Sequence, residues 1–230
     1  MHDGSAIADL VECVSNSVTH HHLESTRPIM GYLLDLGRLI NKSELHNSMT
    51  SYRRSRIEGG TYFFTQVTHQ RQPWLCTDVA RPLLRSAFLK VREKYPFAID
   101  AIVLLPNHIH CIWTLPRNDS DYATRWRLIK SDVTKQGASV LQLQANLSES
   151  RQKRRESNLW QRRFWEHWIR DDADFARHCN YIHYNPVKHG LCQRAMDWKY
   201  SSFHRYVAQG IYSVDWGMEE LMPLLEVGDR

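Results

Sequence analysis

Residues 98–115 constrain the fold more than any other part of the chain. Residues 98–105 (AIDAIVLL) are apolar and β-branched, Pro106-Asn107 is a turn pair, and residues 108–115 (HIHCIWTL) resume the same character. Two such runs across a short turn read as a β-hairpin, so the sheet around it has antiparallel strands. A third strand is expected at 61–69 (TYFFTQVTH), after Gly59-Gly60, and a fourth at 160–170. Leu83, Leu84, Ala87, Phe88 and Val91 recur at helical spacing and predict a helix over 79–95, capped by Asp78 and broken by Pro96. A second helix is expected over 122–134, capped by Asp119 or Asp121. A third is expected over 173–184, begun by Asp171-Asp172 and stopped near Pro186. Residues 200–206 and 211–217 form a C-terminal coda. The alternation of strands and helices predicts an α+β sandwich, with helices packed on a mainly antiparallel sheet.

Charge divides the chain. Residues 1–48 hold only Arg27, Arg38 and Lys42 against Asp3, Asp9, Glu12, Glu24, Asp35 and Glu44, so the net charge of +5 is carried downstream. This stretch reads as an N-terminal extension, and Met49 as the start of the core domain, a mis-set start codon being one explanation. The domain is expected over 49–217, with a flexible basic linker at 136–158 and a tail at 218–230. Arg151, Lys153, Arg154, Arg155, Arg162 and Arg163 are interleaved with Trp160, Phe164 and Trp165. Cations contact phosphates and aromatic faces stack on unpaired bases, which suits nucleic acid; a solvated charged loop gives the same pattern. No apolar run approaches the roughly 20 residues that span a bilayer. The five cysteines are scattered without a CxxC pair, which fits reduced thiols in a cytoplasmic protein.

Two motifs carry chemistry. On a strand, His108 and His110 share one face while Ile109 points into the core, and two imidazoles so placed can chelate one divalent ion or serve structure. On a helix, Tyr181 and Asn185 are i and i+4 on one face. Asn185 could lend its carboxamide oxygen to the same metal and set the Tyr181 hydroxyl beside it, or simply cap the helix before Pro186. Joined, the motifs fit one reaction. A tyrosine hydroxyl, with a free pKa of about 10, is a poor nucleophile unless a metal polarises the phosphate it attacks. Two His and an amide oxygen would serve Mg²⁺ or Mn²⁺ in function.

At these residues the chain resembles the REP-associated tyrosine transposases, a branch of the single-tyrosine HUH transposases. The matching segments are YRRSRIEGGTYFF (52–64), AIVLLPNHIHCIW (101–113), DYATRWRLIK (121–130), WQRRFWEHWIRDDADFARHCNYIHYNPVKHGL (160–191) and YSSFHRYVAQGIYSVDWG (200–217). The resemblance implies a ferredoxin-like α+β core. It makes Tyr181 the nucleophile, His108 and His110 the two histidines of the HUH name, and Asn185 the third metal ligand. It further implies nicking and rejoining of single-stranded DNA at REP-type hairpins through a 5′-phosphotyrosine, by a monomer or homodimer associated with the nucleoid. A non-catalytic regulator that binds DNA hairpins is the alternative. The expected contacts to the DNA backbone are Arg53, Arg54, Arg56, Arg125, Arg127, Lys130, Arg154, Arg155, Arg162 and Arg163. Tyr184 is the rival nucleophile. His178 and His183 are expected on the helix surface or near the DNA, His189 in a structural or phosphate-facing place, and Trp113, Trp160 and Trp165 in the core. Glu166 and His167, being adjacent on a strand, are expected to face opposite sides.

Overall fold

The computed structural model describes residues 56–137, 140–141 and 158–218. The N-terminal extension, Arg53, Arg54, Arg154, Arg155, most of the expected linker and nearly all of the tail lie outside them. In chain order the elements are β1 (Thr61–Val67), α1 (Ala80–Lys94), β2 (Ala98–Leu104), β3 (His108–Thr114), α2 (Tyr122–Gly137), β4 (Trp165–Trp168), α3 (Asp172–Lys188) and α4 (Phe203–Ala208). The strands form one antiparallel sheet in the order β2-β3-β1-β4, the ferredoxin-like arrangement of a βαββαβ chain.

Alternation along the strands sorts side chains onto two faces. Tyr62, Phe64, Ile109, Cys111 and Trp113 point to one, where α1 and α2 cover them with Leu84, Phe88, Val91, Trp126, Ile129 and Val133. Phe63, Ala101, Val103 and Ile112 point to the other, beneath Cys179, Tyr181 and Ile182 of α3 and Phe203 and Tyr206 of α4. Helices therefore close both faces. The coda does more than cover apolar surface. Leu104 N–H donates to Tyr200 O (2.8 Å), and Ser202 N–H donates to Ile102 O (2.8 Å), so the chain is laced along the outer edge of β2.

Two expected elements differ in extent. The strand over 160–170 contracts to β4, four residues paired only with β1, and Trp160 makes a single bridge to Thr68. Being on a short edge, Trp165 is 39% exposed and does not join the core as Trp113 and Trp160 do. The third helix does not stop at Pro186 but runs through it to Lys188. A proline in the last turn removes one helical N–H donor, and the end is rebuilt beyond it. Gly190 (φ 66°) adopts the left-handed conformation, Leu191 N–H donates to Pro186 O (2.9 Å) and Gly190 N–H to Val187 O (2.9 Å). At the other end the Asp171 carboxylate accepts from Asp174 N–H (2.7 Å).

Candidate functional site

β3 carries His108 and His110 on the face covered by α3, with Ile109 on the other. Each imidazole is oriented by a neighbour. Asn107 Oδ1 lies 2.6 Å from His108 Nδ1, and Thr65 Oγ1, opposite His110 in the ladder, lies 2.9 Å from His110 Nδ1. Both Nδ1 atoms being engaged, the buried Nε2 atoms are the ones that could hold a metal. The rings stand 4.7 Å apart, nearly perpendicular. Burial holds His110 well below the ordinary imidazole pKa. Neighbouring His108, His189, Lys188 and Arg71 push it the same way, so it keeps a lone pair at neutral pH.

α3 lays a stripe of side chains along this pair. The Tyr181 ring is 5.1 Å from that of His110, edge to face, and Phe63 supports both at 5.9 and 5.5 Å. Tyr181 is 3% exposed. Two turns further on, the His189 ring is 5.2 Å from that of His108. Asn185 sits between these contacts on the same helical face. It is 0% exposed, and neither its carboxamide oxygen nor its nitrogen has a hydrogen-bond partner among the described residues. A buried amide left so is costly and calls for an explanation. Tyr184 instead packs on Trp216, with ring centroids 6.3 Å apart, so of the two tyrosines Tyr181 is the one at the imidazoles. The helix that passes Pro186 is what brings Lys188 and His189 here. A break at that proline hid Lys188 from the sequence reading, though His189 was expected in a structural or phosphate-facing place, and Thr65 is visible only in the register of the ladder.

His183 and His178 are not surface residues. His183 is buried among Phe203, Tyr206 and Tyr212, with Nε2 2.8 Å from Ser202 Oγ, and burial pushes its pKa down to about 3. His178 packs flat on His167, ring centroids 4.6 Å apart. His167, facing away from Glu166 as expected, meets Asp174 at 2.8 Å. The His167, Asp174 and His178 donor atoms lie within 4.8 Å of one another. Arg170 and Arg177 already reach the Asp174 carboxylate at 3.2 and 3.1 Å, so the cluster is a charge-matched tie between β4 and α3.

The expected DNA contacts separate. Arg125 is a correction: it is 1% exposed, and its guanidinium donates to Asp121 O (2.9 Å), Pro96 O (2.8 Å), Tyr95 O (3.3 Å) and Asp119 Oδ2 (2.7 Å). It holds α2 to the α1–β2 turn. Lys130 donates to Gln161 O and Arg162 O (both 3.1 Å), anchoring the approach to β4. Arg56, Arg127, Arg162 and Arg163 are exposed. Arg127 lies on α2, across the sheet from the imidazole pair.

No protein-family model matches the chain. Over 169 residues it is 48% identical to a Haemophilus influenzae protein assigned to the REP-associated tyrosine transposases, covering 74% of this chain and 94% of that one. Over 168 residues it is 45% identical to the REP-associated tyrosine transposase of Escherichia coli K12, covering 73% of this chain and 91% of that one. The solved structure of a REP-associated tyrosine transposase bound to a REP hairpin is similar at a TM-score of 0.63 and 42% identity, over 79% of this chain and 98% of that one. Identity at this level, over nearly the full length of both curated relatives, settles the kinship: the chain belongs to the REP-associated tyrosine transposases.

Proposed function

We propose that the protein nicks and rejoins single-stranded DNA at REP-type hairpins, with Tyr181 as nucleophile. The observation that carries this reading is the Tyr181 ring, 5.1 Å from His110 on the face of an oriented imidazole pair. A relative of known structure is bound to a REP hairpin. In the reaction the Tyr181 oxygen bonds to phosphorus as the bond from phosphorus to the 3′ oxygen breaks. The phenol gives up its proton to solvent, and the departing 3′ oxygen takes one up. The products are a 5′-phosphotyrosine and a free 3′-hydroxyl. One phosphodiester replaces another, so rejoining needs no ATP.

His108 Nε2, His110 Nε2 and the Asn185 carboxamide oxygen suit a divalent cation, Mg²⁺ or Mn²⁺. Two imidazoles and a buried amide without a hydrogen-bond partner form a donor set that such an ion would satisfy. Bound there, it would polarise the phosphate and neutralise charge on it. Asn107 and Thr65 keep the imidazoles turned toward that position, and Phe63 holds the phenol against them.

The test is a labelled hairpin oligonucleotide with single-stranded flanks, incubated with Mg²⁺ or Mn²⁺ and run on a denaturing gel. A covalent adduct is expected, lost in Tyr181→Phe with binding retained, and lost in His108→Ala and on chelation. An adduct that survives Tyr181→Phe and disappears in Tyr184→Phe refutes the assignment. Binding with no adduct under any condition leaves a hairpin-binding regulator.

A further inference from the structure

Two cations outside the set just described lie beside Tyr181 and on the turn clamped to the neighbour of His108. Lys188, in the last turn of α3, places its ammonium 4.9 Å from the centroid of the Tyr181 ring. Arg71 lies in the connection after β1, where Gln70 and Arg71 have φ of 52° and 53°. Two successive non-glycine residues in the left-handed region are strained, and such backbone persists only where its surroundings impose it. Here Thr68 N–H donates to Asn107 O (2.9 Å), while Thr68 Oγ1 lies within hydrogen-bonding reach of Asn107 O (3.0 Å) and Gln72 O (2.9 Å). The strained turn is thus clamped to the same Asn107 that orients His108. Both Lys188 and Arg71 are exposed, and the charge of each is felt at buried His110.

The donors facing Tyr181 are two imidazoles and a carboxamide, none a fixed cation, whereas a phosphodiester is an anion that gains charge on its non-bridging oxygens during attack. Fixed cations beside that position stabilise the transition state more than the bound strand. We infer that Lys188 and Arg71 form a two-cation cradle for the scissile phosphate, Lys188 contacting the non-bridging oxygen nearest the Tyr181 hydroxyl. The inference rests on the tyrosine transesterification proposed above.

The experiment uses the full chain and a hairpin oligonucleotide carrying, at the bond the wild type cleaves, either the natural phosphodiester or a neutral methylphosphonate. Lys188→Met is expected to slow adduct formation about 100-fold at saturating DNA, the scale of losing one transition-state donor. Binding should change little, and Lys188→Arg should restore most of the rate. Arg71→Met should act in the same direction. On the methylphosphonate, which carries one negative charge fewer in both the bound strand and the transition state, the loss in Lys188→Met should be much smaller than on the phosphodiester. A wild-type rate in Lys188→Met, or an equal loss on both linkages, overturns the cradle alone. No adduct from the wild-type protein overturns the tyrosine chemistry and the cradle with it.

Discussion

Arg125 offers the sharpest separation of folding from DNA contact. Its guanidinium donates to three main-chain carbonyls, of Tyr95, Pro96 and Asp121, and to the Asp119 carboxylate. The pairing holds Asp119 below the usual carboxylate range. Arg125→Ala removes all four bonds and leaves the carbonyls poorly placed to meet water. Breaking a buried, charge-assisted set of this kind costs about 3–5 kcal/mol. For a domain of this size each kcal/mol lowers Tm by about 2–4 °C, so a fall of about 6–20 °C is expected. Thermal unfolding measures it. Binding of a hairpin oligonucleotide between 50 and 200 mM salt supplies the second reading. Losing a phosphate contact lowers the slope of log K against log salt by about 1, and losing a structural arginine leaves it unchanged while folded protein remains. A fully stable Arg125→Ala with a reduced slope would show that the side chain reaches DNA and that the buried reading is wrong.

Lowering the pH should destabilise the protein before its carboxylates titrate. His183 has a folded pKa of about 3 against an ordinary 6.5, so the unfolded chain binds more protons between them. Stability from this residue is present above pH 6.5 and is lost as pH falls, by about 1.4 kcal/mol per unit. Denaturant midpoints from pH 7 to 4.5 should fall more steeply for the wild type than for His183→Gln, and parallel curves would contradict the account. Asn185→Leu removes the buried amide without partners, and in the metal-free protein it should hold or raise stability by about 1–3 kcal/mol. It should also abolish the metal-dependent adduct, which a gel and a melting curve on the same sample will show. Asp171→Ala, by deleting the cap of α3, should cost about 1 kcal/mol in chemical denaturation.

What the sequence revealed, and what it hid, has physical reasons. The hairpin and its paired histidines were legible because strand alternation is local: once 98–115 is a ribbon, His108 and His110 must share a face. Tyr181 and Asn185 were equally local, one helical turn apart. The misreadings come from long-range contacts. Pro186 carries a strong local stop signal, yet α3 packs against the sheet along its length, and a Schellman closure at Gly190 satisfies the carbonyls of Pro186 and Val187 at its end. Arg125 looked like surface charge. It lies three residues after Tyr122 and four before Ile129, squarely on the apolar stripe of α2, and only the carbonyls of the α1–β2 turn explain a cation there. Trp165 shows the converse error, an aromatic expected inside but left at the rim because β4 is short and flanked on one side only.

The lacing of residues 200–202 along β2 has a bearing on how the molecule keeps to itself. An open strand margin offers unpaired amides and carbonyls to any neighbour in an extended conformation. Here the chain's own closing segment occupies those groups at Ile102 and Leu104 and then turns into α4 to cover Phe63 and Val103 from above. A version ending before Tyr200 would keep every residue of the imidazole–tyrosine cluster and still present a raw β margin beside a bared aromatic face. Such a chain would stick to its own copies, so residues 200–218 guard against self-association even though none of them takes part in the proposed chemistry.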